Sequence, residues 1–103
     1  MATSTMTTSL LIGGEERPTA DSFPVFDPAN GELVGHAAAA SATDAQDAVR
    51  AAHEAWPAWA ARPAAERAQL ALAALAGLET DAEERAELLV RENGKTRMEA
   101  TID

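Results

Sequence analysis

The sequence predicts an α/β chain in which an N-terminal β-hairpin precedes a run of helices. Three observations carry this. Short apolar segments at positions 10–12, 23–26 and 32–39 are separated by glycine- and proline-bearing turns, the usual punctuation of strands. From Ser41 onward, apolar residues recur every third or fourth position instead of every second, which is the period of a helix. Two phrases with a hydroxyl residue three positions before an acid, Ser41 with Asp44 and Thr80 with Glu83, open the helical stretches as capping boxes do.

Residues 1–9 are rich in Thr and Ser and read as a disordered tail. They carry neither the basic nor the apolar region of a signal peptide, and no arginine precedes Arg17, so a transit peptide is not expected. Leu10, Leu11 and Ile12 form a strand stopped by Gly13 and Gly14. Residues 15–22 are polar, include Pro18, and read as loop. Phe23, Pro24, Val25 and Phe26 are apolar again, and Pro24 confines them to an edge strand or an extended entry segment. Asp27, Pro28, Ala29, Asn30 and Gly31 make the clearest turn, since Pro28 presets φ and Asn30 and Gly31 tolerate positive φ. In the strand expected over 32–39, Leu33, Gly35, Ala37 and Ala39 share one face, and Glu32, Val34 and His36 the other.

The first helix starts at the Ser41 cap, with Asp44 at the positive end of its dipole. Ala45, Val49, Ala52, Trp56 and Trp59 line one stripe, and Pro57 is expected to end or kink the helix near Trp56. Pro63 suits the first turn of a second helix, whose apolar face is Leu70, Ala71, Ala74, Leu75 and Leu78. A third helix is expected from the Thr80 capping box, with Ala82, Ala86, Leu89 and Val90 as its buried stripe and Asn93-Gly94 as its C-cap. Residues 95–103 read as the start of another element. No internal repeat is present.

Of 103 residues, 26 are alanine and only 22 are large apolar types. Helices with so little bulk pack closely against something else. The formal net charge of −9 repels phosphate backbones and anionic membrane surfaces alike, so neither nucleic acid nor membrane is expected as a partner. The chain has no cysteine, which excludes disulfides, thiolate-ligated metals and a cysteine nucleophile within these residues. A cytoplasmic setting is the expectation.

The order of motifs is more specific than any one of them. A strand ending in Ile12-Gly13-Gly14-Glu15 precedes a "DPANGE" turn at Asp27 to Glu32. A helix opened by Ser41 and Asp44 ends in "AWPAW" at Ala55 to Trp59. Pro63, Glu66 and Arg67 follow in a "PxxER" phrase, and Glu92, Asn93, Gly94 and Lys95 in "ENGK". This series resembles the amino-terminal section of the aldehyde dehydrogenase superfamily, over about residues 10–100. Asp27 stands where asparagine is commoner, and Thr96 where many members have proline. Members are usually several times longer than this chain. The resemblance therefore implies that residues 10–103 are the N-terminal part of an aldehyde dehydrogenase domain, truncated before its nucleotide-binding and catalytic segments, with the hairpin and first helices flanking the cofactor domain.

The resemblance also implies a reaction. A cysteine thiolate attacks an aldehyde, hydride passes to NAD or NADP, and a glutamate-activated water releases a carboxylic acid. No catalytic or cofactor-binding residue is assigned in this chain. Glu92 and Asn93 fall in a phrase that matches a helix C-cap, and Gly13-Gly14 is followed by no helix and so fails the context of a dinucleotide fingerprint. One metal site is implied: backbone carbonyls just before the turn help to hold a monovalent cation in some similar enzymes, and the matching positions are Val25 and Phe26. Ordinary strand carbonyls are the alternative reading.

Other residues read as structural. His36 and His53 have no ligand spacing. Trp56 and Trp59 at helical spacing suit a core better than a binding platform. The acids Glu79, Asp81, Glu83, Glu84 and Glu87 suit a solvated helix start, and Lys95 a solvent-facing position past a glycine cap. The parent polypeptide is thus expected to be an NAD(P)-dependent oxidoreductase, a homo-oligomer acting on an aldehyde, while the 103 residues alone are inactive. The alternative is a free-standing acidic helical interaction module that recruits a partner through Trp56 and Trp59.

Overall fold

A computed structural model describes residues 6–102. Five strands come first: β1 (Met6–Thr7), β2 (Leu10–Ile12), β3 (Glu15–Arg17), β4 (Ser22–Phe26) and β5 (Leu33–Ala38). Four helices follow: α1 (Ala42–Ala61), α2 (Ala64–Ala76), α3 (Ala82–Asn93) and α4 (Arg97–Ile102). The α/β class and the order of strands before helices are as the sequence predicts.

The front is built from two antiparallel hairpins. In the first, β2 pairs with β3, Leu10 opposite Arg17 and Ile12 opposite Glu15. Gly13 and Gly14 take φ of 62° and 81°, the double positive φ that a two-residue hairpin turn demands. The loop expected over 15–22 is therefore corrected at residues 15–17, and at Ser22, where β4 begins. A Gly-Gly pair folds the chain back on itself, and even the polar Glu15 and Glu16 find backbone partners. In the second hairpin β4 pairs with β5 around the Asp27 turn. That turn is closed by the Gly31 N–H donating to the Asp27 carbonyl at 2.7 Å and by the Asp27 N–H donating to the Glu32 carbonyl at 2.8 Å. The Asp27 carboxylate accepts from Ala29 N–H at 2.8 Å, and Gly31 alone in the turn takes positive φ, 75°.

Pro24 is placed where it does no damage. Ala39 N–H donates to the Asp21 carbonyl at 3.0 Å. Bonded pairs in an antiparallel ladder alternate, so Pro24, opposite His36, falls at a non-bonded position on the sheet edge.

The other side of β5 is taken by β1, which runs parallel to it, Met6 opposite Gly35 and Thr7 opposite His36. Thr8 N–H continues the pairing to the His36 carbonyl at 3.0 Å. The sequence reading put residues 1–9 in a tail; Met6 and Thr7 lie in this sheet instead, and residues 1–5 are outside the described residues. The reason is Gly35: a Cβ there would stand 2.6 Å from the Met6 carbonyl oxygen, so only glycine lets a third strand lie this close. The sheet order is β1-β5-β4.

Helix α1 is capped as expected. Asp44 N–H donates to Ser41 Oγ at 3.1 Å, and Ser41 N–H donates to the Asp44 carboxylate at 2.9 Å. Of the end or kink expected near Trp56, the end is corrected: α1 runs through Pro57 to Ala61. Proline's fixed φ is helical, and only one turn follows it, so the single lost hydrogen bond does not end the helix. Pro63 is the N-cap of α2 rather than its first helical residue. The Thr80 capping box is also corrected. Helix α3 starts one residue later, at an Asp81 N-cap with no side-chain cap bond, because the Asp81 carboxylate pairs with Arg85. The C-cap is as expected: Gly94 takes φ 81°, and its N–H donates to the Val90 carbonyl at 3.0 Å. A box not anticipated opens α4. Thr96 N–H donates to Glu99 Oε2 at 3.1 Å, and Glu99 N–H to Thr96 Oγ1 at 3.3 Å.

Burial is as thin as the alanine-rich composition suggests. Among the described residues only Val34, Ala86 and Ala100 are buried hydrophobics, and no large side chain is fully buried. The predicted stripes on α1 and α2 exist but face solvent: Trp56 is 60% exposed and Leu75 53%. The chain is correspondingly open. Its radius of gyration is 17.1 Å, against about 13 Å for a compact domain of roughly 100 residues. Its accessible surface is 8122 Å², where a folded monomer of this mass exposes roughly 5,500 Å².

Candidate functional site

Three local arrangements position the frame. The first ties the β2–β3 hairpin to α1. One guanidinium nitrogen of Arg17, at the end of β3, donates to Asp44 Oδ1 at 3.1 Å and to Asp47 Oδ2 at 2.9 Å. Asp47 in turn takes Arg50 at 3.1 Å. Gly13 completes the contact from the hairpin tip, its Cβ position lying 3.7 Å from Ala51 Cβ. The pairs are partly exposed, so they orient the hairpin more than they stabilise it. The sequence reading used Asp44 only as a cap and missed Arg17. A lone arginine on a short polar strand carries no periodic signal.

The carboxylate of Asp44 is held below its ordinary pKa, first by the Ser41 backbone N–H, then by the Ser41 hydroxyl and by Arg17. Glu99 is lowered likewise, by the Thr96 backbone N–H and hydroxyl and by the nearby Lys95 charge. A depressed carboxylate pKa stabilises the folded state above the unfolded-state pKa, and that contribution is lost as pH falls through the folded-state value. Helical content should therefore be flat above the ordinary carboxylate range, near pH 4, and decline below it. Far-UV circular dichroism across an acid titration tests this. Asp44→Asn should already lack part of that content at neutral pH and show a weaker acid decline; an unchanged titration would remove Asp44 from the account.

The second arrangement joins two distant phrases. Gly94, at the end of α3, abuts Pro28 in the β4–β5 turn: a Cβ on Gly94 would lie 2.9 Å from Pro28 Cγ. The "DPANGE" and "ENGK" segments, read separately in the sequence, thus form one contact. A small cavity of about 80 Å³ lies where α3 meets the sheet, lined in part by Val25, Val34, His36, Leu88 and Glu92.

The third arrangement is an open groove of about 740 Å³ between α3, α4 and the link from α2, with Leu78, Ala86, Leu89, Arg97 and Ala100 among its walls. With the unburied faces of α1 and α2, it gives the chain a surface shaped for coverage.

The predicted site residues fall as follows. Val25 is half-buried and Phe26 is 53% exposed. The ladder register shifts between them, Val25 opposite Gly35 and Phe26 opposite Leu33, which leaves Val34 without a partner in β4. Bulges of this kind re-aim backbone groups. No group of three or more His, Cys, Asp or Glu able to hold a metal occurs among the described residues. His36 is half-buried in β5 and His53 is exposed on α1. Glu92 reaches both cavities from the last turn of α3, and Asn93 is exposed. Lys95 is half-buried rather than solvent-facing. No helix is long and apolar enough to cross a membrane among the described residues.

A family model described as the aldehyde dehydrogenase family matches residues 16–103. No curated protein matches in sequence at a significant level. Among solved structures, an NAD-dependent benzaldehyde dehydrogenase from Corynebacterium glutamicum is 34% identical with a TM-score of 0.82, covering 92% of this chain and 21% of that one. A succinate-semialdehyde dehydrogenase from Burkholderia pseudomallei is 32% identical with a TM-score of 0.83, covering 91% of this chain and 20% of that one. The protein PnpE in complex with nicotinamide adenine dinucleotide is 35% identical with a TM-score of 0.82, covering 93% of this chain and 20% of that one. The chain thus spans about a fifth of the length of the structures it matches.

Proposed function

The chain belongs to the aldehyde dehydrogenase family, and from that premise we propose that it is the N-terminal scaffold portion of an NAD(P)-dependent enzyme oxidising an aldehyde to a carboxylic acid. The observation that carries this reading is the exposed apolar stripe of α1, with Val49, Trp56 and Trp59 at 71%, 60% and 40% exposure. Such a face on a capped helix is made to be covered, and a larger catalytic body is what it would flank.

The bound nicotinamide would accept hydride; nothing in these 103 residues is assigned to hold it. Gly13 and Gly14 form a hairpin turn and not a strand-to-helix phosphate loop. With no cysteine in the chain, the thiolate that attacks the aldehyde must come from elsewhere in the parent polypeptide. What these residues do is position: the Arg17 clamp sets the hairpin on α1, and the Gly94–Pro28 contact sets α3 on the sheet. The Val25 and Phe26 carbonyls are the chain's proposed contribution to a monovalent cation site, supported by their place at the end of β4, next to a register shift and just before the Asp27 turn. The charge of −9 supports a reading with neither nucleic acid nor membrane as partner; a cytoplasmic homo-oligomer is what the family resemblance adds. The alternative, a free-standing helical module, would have to stand on Val34, Ala86 and Ala100, the buried hydrophobics among the described residues.

The test is direct. A family-length polypeptide beginning with this sequence should reduce NAD or NADP when given an aldehyde, read by the absorbance of the reduced nicotinamide. Residues 1–103 alone should give no turnover, and measurable oxidation by them would overturn the scaffold reading.

A further inference from the structure

The chain has two asparagines, Asn30 and Asn93, and glycine follows both. Asparagine is among the thermolabile residues, and a following glycine makes it more so, because no side chain obstructs ring closure. The glycine nitrogen attacks the side-chain carbonyl carbon and a C–N bond forms. The C–NH2 bond then breaks and ammonia leaves, carrying the proton that the nitrogen gave up. Water opens the resulting five-membered imide at either carbonyl, leaving aspartate or isoaspartate. The two sites are alike locally. Both asparagines are exposed, and both glycines take positive φ. Both glycine N–H groups donate four residues back, Gly31 to the Asp27 carbonyl at 2.7 Å and Gly94 to the Val90 carbonyl at 3.0 Å. Three features separate them. First, the Glu32 N–H donates to Asn30 Oδ1 at 2.9 Å, an Asx turn that holds the amide over the Gly31 peptide. That bond also draws electron density from the carbonyl carbon and stabilises the negative charge that attack places on Oδ1. Second, a Cβ on Gly31 would meet nothing within 4 Å, whereas one on Gly94 would stand 2.9 Å from Pro28 Cγ. The peptide has room to swing at Gly31 and is wedged at Gly94. Third, the Gly94 N–H closes the last turn of the 12-residue α3, so releasing it frays a helix. Releasing Gly31 leaves its turn closed by the Asp27 N–H, which donates to the Glu32 carbonyl at 2.8 Å.

We propose that Asn30 is a modification site, at which the chain loses its side-chain amide without an enzyme, while the fold protects Asn93. The products act on the junction between the sheet and α3. Either one adds a carboxylate between Asp27 and Glu32, in a chain of net charge −9. Isoaspartate also routes the main chain through the side-chain carbon, which lengthens the turn by a methylene. Pro28 in that turn abuts Gly94, so a longer turn shifts Pro28 against the end of α3 and loosens the junction as the protein ages. The modification is independent of the reaction that the parent polypeptide carries out.

The experiment incubates the family-length polypeptide at mildly alkaline pH and body temperature and follows both sites by peptide mapping. Each lost amide raises the peptide mass, and isoaspartate elutes apart from aspartate. In the folded protein Asn30 should be converted at least about tenfold faster than Asn93, the ratio that about 1.4 kcal/mol of barrier produces. In denaturing urea the two rates should converge, because the fold and not the dipeptide sets the ratio. Asn30→Gln should stay unmodified at residue 30 while Asn93 keeps its slow rate. No conversion at Asn30, equal rates in the folded protein, faster loss at Asn93, or a ratio unchanged in urea would each overturn the site. For the consequence, amide hydrogen exchange over residues 90–96 is compared between the isoaspartate form and Asn30→Asp, which carries the charge without the longer chain. Exchange should be at least about fivefold faster in the isoaspartate form, an opening easier by about 1 kcal/mol. Matched exchange would mean that the turn absorbs the extra carbon and would overturn the loosening.

Discussion

Gly94→Val is expected to be among the most damaging single substitutions in this chain, removing about 2–4 kcal/mol of stability. Two costs act together. Gly94 sits at φ 81°, where a side chain costs roughly 1–2 kcal/mol and a β-branched one more. The added Cβ would also meet Pro28 Cγ at 2.9 Å, closer than carbon atoms normally approach, so α3 or the turn must shift. The two costs separate in a double-mutant cycle. Gly94→Ala in a Pro28→Ala background should recover the steric part and keep the conformational part. Urea midpoints measure this, in whichever of the chain and the family-length polypeptide unfolds cooperatively. If Gly94→Ala is equally harmful with and without Pro28, the contact does not constrain the helix. Gly94→Val behaving as wild type would remove the left-handed cap itself.

What the sequence made legible was whatever is decided within a few residues. The Ser41 box, the Asp27 turn and the Gly94 cap are closed by bonds spanning two to five positions, and each follows from residue type. The Thr80 box failed for a local reason too: Asp81 found Arg85 one turn on and moved the helix start. The Thr96–Glu99 box is equally local, but the last residues offer no long apolar run after it to mark a helix. By contrast, β1 depends on Gly35, 29 positions from Met6, and nothing near Met6 announces it. The Arg17 clamp and the Gly94–Pro28 contact are likewise long-range. Each joins a residue with an ordinary local role to a partner that only the fold supplies.

The same division explains why apolar faces are legible as faces while their covering is not. Nine of the 20 residues of α1 are alanine, the strongest helix former, so the helix needs little help from packing to keep its shape. Amphipathic spacing marks the side meant for coverage, while coverage itself depends on a body that need not lie in the same 103 residues. Val25 and Phe26 show the limit for the candidate cation site. Their position before the turn was visible, but the register shift between them depends on Val34 having no partner in β4.

Trp56→Ala should accordingly have opposite meanings in two settings. In the 103-residue chain, Trp56 is 60% exposed, so its removal should change stability little and reduce self-association through an exposed aromatic patch. In a family-length polypeptide that covers α1, the same truncation should cost about 3–5 kcal/mol, as for a buried tryptophan. Fluorescence offers an independent check, since Trp56 and Trp59 are the chain's two tryptophans. Their emission should be readily quenched by acrylamide in the isolated chain and protected in the longer protein once any other tryptophans there are replaced. Equal stability losses in both settings would mean that α1 finds its packing partner within these residues. No loss in either would mean that nothing covers the helix, and the scaffold reading would lose its physical basis. The contrast between the settings is what matters, because a residue shaped by a neighbour shows its energetic weight only when that neighbour is present.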